Sequence, residues 1–167
     1  MTFWNQAAIE PKRNFRFKIQ KDGWADQAIW WNAKSVDKPS FNVSNSEYQL
    51  VNHKFKYPGI VTWNNIQITV ADIYAGGPNT IVSLEDELSK IGYTRPDEAS
   101  IMPGISKSNS KVSDLIIEQI GADGKTVDKF TLKGAFIIAA SYSKLDYSSD
   151  DITEVTLEIA YDYADYE

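Results

Sequence analysis

The sequence predicts a mainly β protein: two packed antiparallel sheets that form a β-sandwich or open barrel, one flanking α-helix and a long β-hairpin. Apolar and polar residues alternate in several short segments, most clearly at residues 154–163, and this period of two is typical of half-buried antiparallel strands. Turn-forming Gly, Pro and Asp residues separate the segments. Residues 83–92 instead have the apolar spacing of a helix.

The predicted strands follow one another in a single domain, residues 1–167, after an N-terminal arm of residues 1–13. Outside the long hairpin, strands are predicted at residues 15–20, 29–36, 115–120, 126–135, 136–142 and 154–163. The first of them ends at the Asp22-Gly23 turn. A hairpin between the third and fourth closes at Asp123-Gly124, because Asp-Gly pairs favour tight turns.

The long hairpin is predicted at about residues 38–72. Its first strand, residues 41–56, is polar through most of its length, and its second, residues 60–71, alternates clearly at its end. The turn between them is predicted at Tyr57-Pro58-Gly59. An isolated two-stranded ribbon is barely stable in water. We therefore expect this hairpin to contact other copies of the chain.

A helix of two to three turns is predicted at about residues 83–92. Ser83 is suited to cap it, Asp86 completes a capping box, and Gly92 ends it. Its apolar stripe consists of Leu84, Leu88 and Ile91. Loops are expected before the helix, at Gly76-Gly77-Pro78, and after it, at about residues 94–112.

Composition narrows the possible functions. The chain has no cysteine, and its one histidine, His53, cannot build a two-histidine metal site. The 23 acidic residues show no spacing that singles out a catalytic pair, so we expect no enzyme activity, no catalytic or metal site and no cofactor. No apolar run reaches the ~20 residues of a membrane span, and the first residues lack signal-peptide features, so we expect a cytoplasmic chain without membrane insertion. The net charge of −6 disfavours binding to nucleic acid through its phosphates.

Several short patterns occur in an order that is informative over nearly the whole chain. They are residues 14–19 (NFRFKI), 34–39 (KSVDKP), 53–59 (HKFKYPG), Val61-Thr62-Trp63, 66–72 (IQITVAD), 117–120 (IEQI), 128–134 and 154–163. In this order and spacing the chain resembles the tail tube proteins of contractile-tailed phages. It is more distantly similar to the inner-tube proteins of type VI secretion and related injection machines.

The resemblance implies a structural role. Six subunits would close a ring whose inner sheets join into one barrel, and rings would stack into a hollow tube inside a contractile sheath. The implied partners are further copies of the chain, the tail sheath protein, baseplate and tail terminator proteins, and a tape measure protein inside the tube. DNA would pass through without specific binding, and the implied location is the virion tail, assembled in the cytoplasm of the bacterial host. The alternative within this class is the tube of a phage-like or type VI machine that carries protein effectors.

Three sets of residues are candidate contact sites, and each also has an ordinary interpretation as a solvated surface. The acidic side of the last strand, Glu154, Glu158 and Asp162, is a candidate for the lining of the lumen. The candidate contacts between rings lie on the hairpin: Ser44, Glu47, Gln49, Asn52, His53, Lys54 and Lys56. The candidate sheath-facing residues of the helix are Glu85, Glu87 and Lys90.

A carbohydrate-binding β-sandwich is the alternative from another class. The five tryptophans and nine tyrosines supply aromatic rings of the kind that stack on sugars. Such a module would stay monomeric and change its tryptophan fluorescence with oligosaccharide, whereas a tube protein would assemble.

Overall fold

The computed structural model describes residues 11–21, 32–73, 79–96, 104–106 and 113–167. Several predicted features lie outside these residues. They are most of the N-terminal arm, the Asp22-Gly23 turn, the start of the strand predicted at residues 29–36, the Gly76-Gly77-Pro78 loop and most of the loop predicted at residues 94–112.

Two four-stranded antiparallel sheets form most of the described fold, which confirms the predicted mainly β class. The first sheet has the order β1-β6-β7-β10 and the second the order β2-β5-β9-β8, while β3 and β4 form a separate two-stranded ribbon. The strands are β1 Phe17–Lys21, β2 Ala33–Val36, β3 Phe41–Leu50, β4 His53–Trp63, β5 Ile66–Ala71, β6 Leu115–Ile120, β7 Thr126–Lys133, β8 Phe136–Tyr142, β9 Glu154–Ala160 and β10 Tyr163–Tyr166.

The core lies between the two sheets. Alternate residues of β5 and β9 point inward, as a period of two requires, and those positions are almost fully buried. The first sheet contributes Ile19, Leu115, Ile117, Leu132 and Ala164, and the second contributes Ile66, Ile68, Val70, Val155, Leu157 and Ile159. Burying such side chains is the main stabilisation of the sandwich, at about 1.5–3 kcal/mol each before opposing terms are counted.

The predicted last strand, residues 154–163, is in fact two strands in different sheets. β9 ends at Ala160, the chain crosses at Tyr161 and Asp162, and β10 begins at Tyr163 in the other sheet. The alternation places Tyr163 on the same face as Val155, but Val155 is buried whereas Tyr163 is 48% exposed. The alternation continues through the crossing in the sequence, so the pattern alone could not reveal the change of sheet.

The helix, α1, spans Thr80–Lys90 and begins three residues earlier than predicted. Its N-cap is Asn79, whose side-chain oxygen accepts a hydrogen bond from the Ile81 amide, so the predicted cap at Ser83 is wrong. The predicted end is correct. Gly92 has a φ of +103°, and the amides of Gly92 and Tyr93 close the final turn in a Schellman motif.

The predicted turn of the long hairpin is also wrong. The chain reverses at Val51 and Asn52, between the paired residues Leu50 and His53, and Val51 has a φ of 52°. Pro58 and Gly59 lie inside β4. Each strand of the ribbon is paired within the ribbon along one edge only. A proline whose nitrogen faces the other edge removes no hydrogen bond of the ribbon, so proline is tolerated there.

Candidate functional site

The long ribbon contains a β-bulge that decides where its side chains point. The pairing register shifts between Val43 and Asn45, because β4 places Gly59 and Ile60 opposite the single residue Ser44. The amide of Ile60 donates a hydrogen bond of 2.8 Å to Ser44 Oγ. A Cβ atom on Gly59 would lie 2.4 Å from the same oxygen, so this close approach requires glycine.

The bulge moves the apolar side chains from one face of the ribbon to the other. Near the root, Phe41 pairs with Trp63 and Val43 with Val61, and the Trp63 ring centroid lies 5.9 Å from that of Tyr161 in the body of the protein. The side chains of paired residues share a face, and successive residues of a strand alternate between faces. Beyond the bulge, the apolar residues therefore lie on the face opposite to the one that meets the body.

We call this surface the apolar tip face, and it consists of Tyr48, Leu50, His53, Phe55 and Tyr57. Tyr48 pairs with Phe55, and Leu50 with His53, so the five residues occupy one side of the ribbon tip. The His53 ring packs edge-on against Phe55 with centroids 4.7 Å apart. Apart from His53, the residues of this face are 44% to 60% exposed. The tip is thus amphipathic, with an apolar face that the predicted strand, polar through most of its length, did not indicate.

The opposite side of the tip carries the charges predicted to contact another ring. Glu47 lies between two lysines, 3.2 Å from Lys54 Nζ and 3.8 Å from Lys56 Nζ, and Gln49 pairs with Lys54 in the ladder. Ion pairs as exposed as these contribute little stability. Of the other predicted contact residues, Ser44 is in the bulge, Asn52 is in the turn, and His53 is on the apolar tip face.

A second apolar surface lies between α1 and β8, the last strand of the second sheet. It is a groove of about 710 Å³, which we call the α1–β8 groove, and its apolar lining includes Leu88, Ile91, Tyr93, Ile138 and Tyr142. Only part of the predicted helix stripe is covered, since Leu84 is buried whereas Leu88 is 41% exposed. The volume is within the range of pockets that hold ligands or side chains of a partner.

The charged residues of α1 lie along the rim of this groove. Glu87 was predicted to point outward, but its side chain is only 13% exposed and contacts Lys21 Nζ at 3.7 Å and Lys90 Nζ at 2.8 Å. Burial lowers the pKa of Lys21, and the Glu87 carboxylate opposes that shift. Glu85 forms an ion pair with Arg95. Two of the three predicted sheath-facing residues, Glu85 and Lys90, are therefore directed to solvent.

The outer face of the second sheet holds two of the three acidic residues predicted for the lumen. Glu154 forms an ion pair with Lys34 and raises the pKa of that lysine, while Glu158 accepts a 2.9 Å hydrogen bond from the neutral Asn65 amide. Asp162 lies beyond the end of β9, in the crossing between the sheets, so it is not part of this face. The paired residues around the two glutamates are small or polar: Gln67, Thr69, Ala139, Ser141 and Thr156.

Among the residues that the structure describes, no group of three or more His, Cys, Asp or Glu side chains is placed to hold a metal ion. In the same residues, no helix has the length and apolar character needed to cross a membrane.

Comparison with known proteins relates the fold to contractile injection systems. One similar chain comes from the sheath–tube complex of an extracellular contractile injection system, termed PVC, in the extended state. It superimposes on this chain with a TM-score of 0.67 at 17% identity, covering 100% of this chain and 98% of that one. A chain from the sheath/tube terminator of the PVC system gives a TM-score of 0.68 at 17% identity, covering 96% of this chain and 99% of that one. A chain of the tube-terminating cap of the anti-feeding prophage gives 0.68 at 15% identity, covering 99% and 97%.

These similarities define a fold class. The chain has the fold found in sheath–tube and tube-terminator assemblies of contractile injection systems. This fold agrees with the resemblance of the sequence to contractile tail tubes. No protein-family model matches the sequence. No curated protein matches it either.

Proposed function

We propose that this chain is a structural subunit of the inner tube of a contractile tail or injection machine. Copies form hexameric rings, and rings stack into a hollow conduit inside a contractile sheath. The fold similarity supports this role along the full length of the chain, since 100% of the chain is covered at a TM-score of 0.67. The whole of residues 1–167 then acts as one tube domain without catalytic activity.

The exposed ribbon is the single observation that carries the proposal. All the residues of β3 are exposed, as are those of β4 as far as Thr62, yet the ribbon tip presents large apolar side chains on one face. A two-stranded ribbon gains too little from its own contacts to be stable alone in water. Contacts with other copies supply the missing burial, and repeated contacts between different surfaces produce a filament.

Two machines would use the same subunit geometry. A contractile-phage tube conducts DNA, is assembled in the bacterial cytoplasm and becomes part of the virion tail. Its further partners are the sheath, baseplate and tail terminator proteins and a tape measure protein within the tube. The second candidate is the tube of a phage-like injection system that carries protein effectors, and the similarity to the PVC and anti-feeding prophage assemblies favours it.

Electron microscopy and sedimentation of the purified chain across a concentration series test the proposal. We expect six-fold rings or uniform hollow tubes that grow in number with concentration. A chain that stays monomeric at every concentration, including after addition of preformed sheath or baseplate components, contradicts the proposed function. A sugar-dependent change in tryptophan fluorescence of that monomer would instead support the carbohydrate-binding alternative.

We further propose that the outer face of the second sheet lines the conduit. Its small and polar side chains offer little apolar surface to which cargo could adhere. The hydrogen-bond partner of Glu158, Asn65, is neutral and does not offset a carboxylate charge, whereas Glu154 is paired with Lys34. A negative lining repels the phosphates of DNA and prevents the counterion release that drives its binding.

The lining is tested by changing Glu154 and Glu158, the two candidate residues on this face, together to lysine and mixing assembled tubes with short duplex DNA at low salt. We expect tubes of the variant, but not of the wild type, to retain DNA in a nuclease-protected form. The control carries the same change at two acidic residues of the turn and edge of the first sheet, Asp123 and Asp165. Equal retention by the control, or none by the double variant, would argue against this face as the lining.

A further inference from the structure

The apolar tip face is large for an exposed apolar surface. Its three aromatic side chains, Tyr48, Phe55 and Tyr57, are 60%, 44% and 55% exposed. At about 200 Å² for each aromatic side chain, they alone expose roughly 300 Å² of apolar surface. That reaches the size of the largest patches on typical monomers, and it supplies over a third of the about 800 Å² that each partner buries in a standard interface.

The α1–β8 groove is a concave apolar surface with few unsatisfied charges at its rim. Glu85 is paired with Arg95, and Glu87 with Lys21 and Lys90. An apolar occupant that displaces water from the groove therefore leaves none of these charges buried without a partner. The tip face contains no acidic residue and no lysine or arginine, because Glu47 and the two lysines lie on the opposite side of the ribbon.

The geometry of a filament decides between two ways of covering the tip face. If two tip faces packed on each other, the contact would be the same on both copies and would close a dimer. A growing stack of rings needs a contact between two different surfaces of the chain. The α1–β8 groove is a concave apolar surface in the part of the chain that the structure describes, and the ribbon tip that would enter it is only two strands wide.

We infer that the apolar tip face of one copy docks in the α1–β8 groove of a copy in the next ring. This inference rests on the proposed tube function and specifies the contact that stacks its rings. The tip's apolar side makes the contact, while the charged side that carries Glu47, Lys54 and Lys56 remains toward solvent. The occupant of the groove is thus a second copy of this chain.

Disulfide trapping tests the contact directly, because the chain contains no cysteine. The Leu50→Cys and Leu88→Cys variants are prepared separately, mixed, assembled and oxidised. We expect a disulfide-linked dimer, since docking brings the tip within the roughly 4 Å between Cβ atoms that a disulfide needs. The matched control replaces Leu50→Cys with Gln49→Cys, the next residue on the opposite face, and this mixture should give at least tenfold less dimer.

Other occupants of the two surfaces give different results. Dimers of the Leu50→Cys variant alone would mean that tip faces pack on each other, and they would overturn the inference. So would tubes in which the Leu88→Cys thiol still reacts with a bulky maleimide, because the groove would then be open to a sheath protein or another partner. Stacks that come apart in 1 M salt, where screening acts over about 3 Å, would also overturn it by indicating a charged contact.

Failure of the proposed function is distinguishable from failure of this inference. If tubes form without the Leu50–Leu88 disulfide, the tube function stands and the docking site is wrong. If the wild type forms neither rings nor tubes, the tube function fails. Disulfide trapping between the Leu50→Cys and Leu88→Cys variants as concentrated monomers then tests the docking separately. Absence of the disulfide in that mixture overturns the inferred contact.

Discussion

Replacing Gly59 with alanine should loosen the long ribbon in a way that depends on one distant side chain. The new Cβ would lie 2.4 Å from Ser44 Oγ and 3.1 Å from the Ser44 carbonyl oxygen. The hydroxyl can rotate away, but it then loses the hydrogen bond that it accepts from the Ile60 amide at 2.8 Å. The carbonyl oxygen belongs to the backbone and can move only with the strand.

The expected loss is about 1–2 kcal/mol of local stability. A net hydrogen bond contributes about 0.5–1.5 kcal/mol, and the residual crowding against the carbonyl adds to it. Alanine recovers about 0.4–1 kcal/mol by restricting the unfolded chain. In a Ser44→Ala background the hydroxyl clash and the hydrogen bond are both absent. Only the crowding against the carbonyl oxygen remains there, and the restriction of the unfolded chain offsets it, so Gly59→Ala should be nearly neutral. The two changes are therefore predicted to couple by about 1–2 kcal/mol.

Native-state amide hydrogen exchange is the suitable assay, because the ribbon can open without unfolding the sandwich. We expect β3 and β4 amides to exchange about five- to thirtyfold faster in Gly59→Ala, with those of β5 and β9 unchanged. Gly104→Ala is the matched control, since a Cβ there meets nothing within 4 Å. An equal acceleration in the Ser44→Ala background would refute the steric reasoning.

Three further predictions concern the turn, the helix and acid stability. Val51→Asn should slow exchange of the ribbon amides about fivefold, because valine at a φ of 52° is strained by about 1 kcal/mol and asparagine tolerates that conformation. Asn79→Ala should lower the free energy of unfolding by about 1 kcal/mol in urea, while Ser83→Ala, at the cap predicted from sequence, should leave it nearly unchanged. Burial raises the pKa of Glu118, but hydrogen bonds from Lys18 and a neighbouring threonine outweigh it, so the net pKa is lowered. The stabilisation from this carboxylate is therefore present above the ordinary glutamate pKa of about 4.3 and is lost as the pH falls below it. The free energy of unfolding in urea should depend less on pH in Glu118→Gln than in the wild type over this acidic range, and an equal pH dependence would contradict the prediction.

Local signals in the sequence located some boundaries and missed others for physical reasons. The helix end was predictable because Gly92 has the left-handed conformation that a Schellman motif requires. The helix start was not, since Asn79 and Ser83 are both suitable caps and the choice follows from Thr80, which is 2% exposed in the folded chain. Burial of that kind is a property of the tertiary structure and leaves no local pattern.

The hairpin was mispredicted for a related reason. Pro58-Gly59 has the composition of a turn, but its glycine allows the close approach of Ser44, which lies 15 positions earlier in the sequence. The polar and charged residues of the candidate sites were identified from sequence, whereas the apolar tip face was not. On β3 the change of face follows from the alternation alone, because Tyr48 and Leu50 differ in parity from Phe41 and Val43. On β4 the apolar residues keep the same parity, and they change face only because of the bulge, which leaves no local pattern.

The crossing from β9 to β10 has a mechanical consequence. Only Tyr161 and Asp162 join Ala160 of one layer to Tyr163 of the other, and these three Cα–Cα steps extend at most about 11 Å. Packed sheets lie about 10 Å apart, so the connection is almost taut. The layers cannot shear past each other without first breaking strand pairing. Under an axial thrust the sandwich should therefore transmit force as a stiff block, and deformation should concentrate in the ribbon that protrudes from it.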